Sequence, residues 1–119
     1  MASTYTKLKL SSSTDGKQIK VGATGTPGTL LHTAVTGSTD YDEVWIYATN
    51  NHTASLNLTI EWGGTTSPDD LIQLAVPAKT GLYLIIPGLV LQNGNAIRAF
   101  AGSANLICIS GWVNKITNT

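Results

Sequence analysis

Charged residues are scarce in this chain, since only 12% of its 119 residues are Asp, Glu, Lys or Arg. That share is about half the usual one for a soluble domain. Seven Lys and Arg balance seven Asp and Glu, so the chain lacks the basic excess that contacts with phosphates require. We therefore expect no nucleic acid among its ligands. A surface so poor in charge also predicts that a partner covers part of it.

Cysteine and long hydrophobic segments are equally rare. A single cysteine, Cys108, excludes an intramolecular disulfide, and its apolar neighbours in residues 106–109 (LICI) predict a buried thiol. The longest apolar stretch, residues 82–91, is interrupted by Pro87 and Gly88 and is too short to cross a bilayer. No secretory hydrophobic region opens the chain, so we expect synthesis in a cytoplasm and no membrane partner.

Helical periodicity is missing as well, because no segment repeats apolar residues at positions i, i+3, i+4 and i+7. Short alternating segments with Gly, Pro, Asn and Asp between them occupy the chain instead. This pattern predicts an all-β protein, an antiparallel β-sandwich or jelly roll of about 8–10 short strands. We expect residues 1–119 to form a single domain.

Two hairpins are predicted from neighbouring alternating segments. Residues 6–10 and 17–23 suggest the first, and residues 44–48 and 56–62 the second. In residues 56–62, alternation places Trp62 on the apolar side that faces the core and Glu61 on the side that faces solvent. Pro87-Gly88 is expected to break a buried strand at residues 82–86 from a short one at 89–92.

Catalytic chemistry has little support in the ionisable residues. The histidines, His32 and His52, are not accompanied by a nucleophile motif such as G-x-S-x-G, and the carboxylates are interpreted as solvated groups in turns or on polar strand faces. Acidic residues at 40–43 and 69–70 could offer oxygen ligands to calcium but lack the spacing of a calcium loop. We predict no enzyme, no catalytic residues, no cofactor and no metal.

A partner-binding surface is the remaining class of site. Trp45 and Trp112 have ambiguous parity, so they suit either packing or a sugar-stacking platform. In the N-terminal segment, residues 1–10, lysines alternate with leucines, which predicts a partner-binding arm or an edge strand outside the central core, or else an ordinary hairpin strand. The candidate partner-binding residues are Tyr5, Lys7, Lys9, Trp45 and Trp112.

A series of short blocks from residue 10 to residue 116 resembles a group of small virion proteins of tailed bacteriophages and cyanophages. The blocks, in order, are residues 10–17 (LSSSTDGK), 26–34 (TPGTLLHTA), 42–48 (DEVWIYA), 58–64 (LTIEWGG), 77–82 (PAKTGL), 87–89 (PGL), 97–101 (IRAFA) and 111–116 (GWVNKI). The resemblance implies a β-sandwich with a structural role in the virion, as a capsid decoration or cement protein on the head shell. It supplies no catalytic or ligand-binding residues.

The resemblance also implies partners and a location. The expected partners are other copies of the chain, in a homotrimer, and the major capsid protein or another virion protein. The protein would be located in the virion after assembly in the host bacterial cytoplasm. Two alternatives stay open: a structural component of the tail, neck or baseplate, and a carbohydrate- or receptor-binding β-sandwich module.

Overall fold

The computed structural model describes residues 2–119, which contain nine β-strands and no helix, and hence no helix that could cross a membrane. Alternation of apolar with polar residues, and the Gly- and Asn-rich turns between the alternating segments, produce these strands. The strands are β1 (Ser3–Lys9), β2 (Ile19–Lys20), β3 (Thr29–Thr33), β4 (Tyr41–Asn50), β5 (Leu56–Trp62), β6 (Leu71–Val76), β7 (Tyr83–Leu91), β8 (Ala96–Ala101) and β9 (Ile107–Asn118).

The strands form two antiparallel sheets packed face to face. Sheet A has the order β1-β9-β4-β7, with the short β2 also paired to β9. Sheet B has the order β3-β8-β5-β6. The predicted all-β, antiparallel sandwich is thereby confirmed.

The core lies between the sheets and follows the period-2 alternation of the strands. In β4 every second residue is buried, including Val44 and Ile46. Ile60 and Ile97 face them from sheet B and are fully buried. Burying one such side chain contributes about 1.5–3 kcal/mol, so this layer provides most of the stabilisation. Trp62 shares the side of Ile60, as predicted, but it is only partly buried and packs against the margin of the core.

Both predicted hairpins are wrong. β1 and β2 pair with successive parts of β9, residues 112–118 and 108–109, instead of with each other. β4 and β5 belong to different sheets, and the turn between them carries the chain across the sandwich. Asn50, which is buried, holds this crossing: its amide donates to the carbonyl of Val76 at 2.9 Å and to that of Ala54 at 3.1 Å, and its oxygen accepts from the amide of His52 at 2.9 Å.

Pro87-Gly88 does not end a strand, because β7 continues through it as one strand of nine residues. β7 lies at the edge of sheet A, the position in a sheet where a proline is tolerated. The register with β4 shifts next to Pro87, and Gly88 takes the irregular conformation, with φ of 81°. A glycine adopts this conformation at no steric cost.

Two smaller expectations also need correction. The N-terminal segment forms an edge strand, β1, exposed along its whole length, yet Leu10 at its end is 1% exposed and belongs to the core. Cys108 is only partly buried, because Ile107 and Ile109 take the inward positions of β9. An apolar neighbourhood in sequence therefore did not predict the direction of its side chain.

Candidate functional site

The water-facing side of sheet A is built around two tryptophans. Trp45 on β4 and Trp112 on β9 are directly opposite each other in the antiparallel register. Their neighbours Val44 and Val113 point inward and are fully buried, so both indoles must point outward. The rings lie parallel within 8°, with 5.7 Å between their centroids. The structure thus resolves the ambiguous parity of these residues.

Contacts from three sides hold the tryptophan pair in place. The ammonium of Lys7 on β1 lies 4.4 Å from the centroid of the Trp112 ring, within the range of a cation–π contact. The indole N–H of Trp45 donates to Oε1 of Glu43 at 3.3 Å. Gly88 on β7 lies against the Trp45 ring, and a Cβ at this position would stand 2.9 Å from Cζ2 of Trp45. The pair is therefore ordered before any partner binds.

Tyrosines extend the same surface in both directions. Ile116 of β9, two residues beyond Asn114, is paired with Tyr5 of β1 on one side and with Tyr41 of β4 on the other. Tyr47 is opposite Ser110. All of these residues share the outward side with Trp45 and Trp112. Three of the four tyrosines and two of the three tryptophans of the chain thus occupy one surface. We call it the aromatic face and define it by Tyr5, Tyr41, Trp45, Tyr47 and Trp112.

All five predicted partner-binding residues lie on this side of sheet A. Tyr5, Lys7 and Lys9 lie on the outward side of β1, and Lys9 is directly opposite Trp112. Tyr5 is 66% exposed. Sequence reasoning missed Tyr41 and Tyr47, although they alternate with Trp45 within one strand. Their parity would have predicted them once the side of Trp45 was known.

An apolar rim adjoins the aromatic face along β7. Leu84 is opposite Tyr47 and is 44% exposed, and Val90 is opposite Glu43 and is 50% exposed. Because β7 is an edge strand, its outer backbone groups have no partner strand among residues 2–119. Apolar exposure of this kind at a sheet edge is typical of a contact surface.

A buried histidine–aspartate pair lies elsewhere, between β3 and β4. Nε2 of His32 and Oδ2 of Asp42 are 2.8 Å apart, and both side chains are at least 95% buried. Nδ1 of His32 accepts the amide N–H of Ser11 at 2.9 Å, so Nε2 carries the proton that is shared with Asp42. Because both ring nitrogens are engaged, neither is free to take a proton from a substrate. The prediction of Asp42 as a solvated turn residue is wrong, since it lies in β4.

Glu61 is also buried, contrary to expectation, with 1% exposure. Alternation gave its side of β5 correctly, but the loop at residues 22–28 folds over that side. Oε2 of Glu61 accepts from the hydroxyl of Thr26, and Oε1 accepts from the amide N–H of Gly28, both at 2.6 Å. Arg98, opposite Glu61 on β8, donates to the carbonyl of Gly28 at 3.3 Å. The carboxylate and the guanidinium together fasten the loop to sheet B.

The acidic segments considered as calcium ligands do not converge. In residues 40–43, Asp42 points inward and Glu43 outward. Oδ2 of Asp70 accepts the amide N–H of Thr66 at 3.0 Å, as short Asp residues do in turns. In the part of the chain that the structure describes, no three metal-ligating side chains lie together.

Comparisons of the chain with protein-family models, with curated proteins and with solved structures find no match. The resemblance to phage virion proteins consequently stays a prediction. What the chain binds has to be inferred from its own surfaces.

Proposed function

We propose that this chain is a structural component of a tailed-phage virion, a decoration protein that binds the head shell through its aromatic face and stabilises it. One observation carries the proposal: Trp45, Trp112 and three tyrosines cover the outer side of a sheet whose inner side is already the core. The sequence resemblance supplies the virion as the setting. No ligand-binding or catalytic chemistry is needed for such a role.

The aromatic face has the composition of a protein interface. Trp and Tyr are enriched in interfaces, where they bury much area at a small loss of conformational entropy. The stacking of Trp45 on Trp112 fixes both rings in advance and lowers the entropy lost on binding. Among residues 2–119, only Lys7, Lys9, Lys20 and Glu43 bring charge to this side, so the contact would depend mainly on desolvated aromatic surface.

The size of the face is also adequate. The four long strands of sheet A have 7, 12, 10 and 9 residues. At about 3.3 Å per residue and about 4.8 Å between strands they cover about 600 Å² in projection. A standard interface buries roughly 800 Å² per partner, so the aromatic face with its apolar rim approaches that area.

We further propose that copies of the chain associate as trimers, with the β7 edge as their contact. Leu84 and Val90 are exposed there beside unpaired backbone groups. Sedimentation of the purified chain is expected to give a trimer, and Leu84→Lys with Val90→Lys to give a monomer. Sedimentation as a monomer at micromolar concentration, together with isolated copies on the particle, would refute the trimer.

The attachment proposal is tested by adding purified chain to heads that lack it and measuring the bound copies. The double variant Trp45→Ala/Trp112→Ala is expected to remain folded, because both side chains lie outside the core, and to lose attachment. Phe100→Ala, an aromatic truncation on sheet B, serves as the matched control and is expected to attach normally. Attachment of the double variant at wild-type occupancy would refute the role of the face.

The location of the chain within the particle distinguishes the head-shell role from the main alternative. A tail, neck or baseplate subunit would present the same aromatic face to a different neighbour, and labelling of the chain in intact particles distinguishes these sites. A sugar platform made by Trp45 and Trp112 has less support, since the two rings stack on each other and Lys7 lies over Trp112. Binding of glycans that depends on Trp112 would favour that reading.

A further inference from the structure

A groove of about 430 Å³ lies on the opposite side of the molecule, on the water-facing side of sheet B. Its floor is a row of residues from three neighbouring strands. Thr59 on β5 is directly opposite Gln73 on β6 and Phe100 on β8. Asn57, the next outward residue of β5, continues the row of polar side chains. The floor of the groove therefore combines one aromatic ring with one hydroxyl and two amides.

The loop at residues 22–28 forms one wall of the groove. Thr24 lines it, and the loop is held in place by the hydrogen bond from the amide of Ala101 to the carbonyl of Ala23, 3.1 Å long. Gly102 closes the end, with its amide bonded to the carbonyl of Asn57 at 3.0 Å. Backbone contacts to the strands below thus define the shape of the groove.

The polar side chains of the floor are not used by the protein. Thr59 is 7% exposed, and its hydroxyl makes no hydrogen bond to a protein group among residues 2–119. The amides of Asn57 and Gln73 are likewise without a bonding partner in that part of the chain. Among residues 2–119, Oδ1 of Asp42 is the only buried polar side-chain atom without a hydrogen-bond partner, so the Thr59 hydroxyl is open to the groove that it lines and is placed to bond to a ligand there.

No charged side chain lines this groove. The nearest charged residues in the register, Glu61 and Arg98, are engaged by the loop at Thr26 and Gly28. An ionic ligand would therefore find no counter-charge here. Amides and a hydroxyl both donate and accept hydrogen bonds, as the hydroxyl groups of a sugar require. An aromatic ring beside them offers an apolar surface against which the C–H face of a pyranose can lie.

We propose that this groove binds a neutral saccharide. The sugar ring lies on Phe100, and its hydroxyl groups bond to Asn57, Thr59 and Gln73. The volume is within the range of about 300–1,000 Å³ typical of small-molecule sites. The site is separate from the aromatic face, because the two lie on opposite sheets. Its occupancy therefore does not depend on attachment to a particle.

The test is titration of the purified chain with four neutral disaccharides, maltose, cellobiose, lactose and mannobiose, followed by amide chemical shifts and calorimetry. We expect saturable binding of at least one of them, with the largest shifts at Thr59 and Phe100. Gln73→Ala and Phe100→Leu are expected to weaken binding about tenfold or more, which corresponds to about 1.4 kcal/mol. Gln73 is exposed and Phe100→Leu keeps an apolar side chain, so neither change should unfold the protein.

Two controls make the outcome decisive. Asn51→Ala removes an exposed amide outside the groove, and Trp112→Ala removes an aromatic ring of the aromatic face; both are expected to bind the sugar unchanged. The proposal is overturned if none of the disaccharides binds at the highest soluble concentration. It is also overturned if binding follows Trp112 and not Phe100, or if an uncharged Ser- and Asn-rich peptide binds in their place. Failure of attachment to heads would refute the proposed function and leave this titration unaffected.

Discussion

Replacing Glu61 by alanine should release the loop at residues 22–28 from sheet B. The carboxylate accepts hydrogen bonds from the hydroxyl of Thr26 and the amide of Gly28, both at 2.6 Å. Hydrogen bonds to a charged group contribute about 1.5–3 kcal/mol each, and a buried donor left without a partner costs about 1–3 kcal/mol. Part of this is recovered if the freed loop reaches water. We therefore expect Glu61→Ala to lower the free energy of unfolding by about 3 kcal/mol.

The chain contains a matched control, since Glu43 is its only other glutamate. Glu43 accepts longer hydrogen bonds, 3.3 and 3.5 Å, at the surface, so Glu43→Ala should change stability by less than about 1 kcal/mol. Glu61→Gln keeps one acceptor oxygen but turns an NH₂ toward a donor, and we expect an intermediate loss of about 1–2 kcal/mol. Urea unfolding followed by tryptophan fluorescence measures all three. A loss below about 0.5 kcal/mol for Glu61→Ala would refute this account of how the loop is held.

Two further substitutions probe other parts of the sandwich. His32→Ala removes the side-chain partner of the buried Asp42 carboxylate, which then keeps only the hydrogen bond from the amide of Val35, and we expect a loss of about 3–5 kcal/mol in urea unfolding; a loss under 1 kcal/mol would contradict the pairing. Gly88→Ala meets the Trp45 ring as well as an unfavourable φ of 81°, whereas Gly16→Ala has φ of 85° and open space around it. Gly88→Ala should therefore lower the melting temperature more than Gly16→Ala, and equal effects would mean that the contact with Trp45 adds nothing.

Local patterns predicted the strands well and their partners poorly. Alternation located β5 to the residue, at 56–62, because the direction of successive side chains is a local property of an extended backbone. Pairing depends on where a turn sends the chain. The Asn-rich turn after β4 looked like a hairpin, but the side chain of Asn50 binds Val76 and so directs the chain into the other sheet.

For the candidate site as well, the sequence predicted individual residues but not how they are brought together. Tyr5, Trp45 and Trp112 could be selected from the sequence because aromatic residues are enriched in interfaces and the chain is poor in charge. Their assembly on one face required the register of β1, β9 and β4, which no local pattern contains. Glu61 shows the converse, since its outward direction was predictable but its burial by a loop more than 30 residues away in sequence was not.

A density map of the phage particles to which we assign this chain tests the central claim most directly. The account predicts the chain on the outside of the head shell, with Trp45 and Trp112 buried against a neighbouring virion protein and the groove at Phe100 facing outward. Particles that lack the chain, or a chain whose aromatic face is open to solvent while another surface makes the contact, would contradict it.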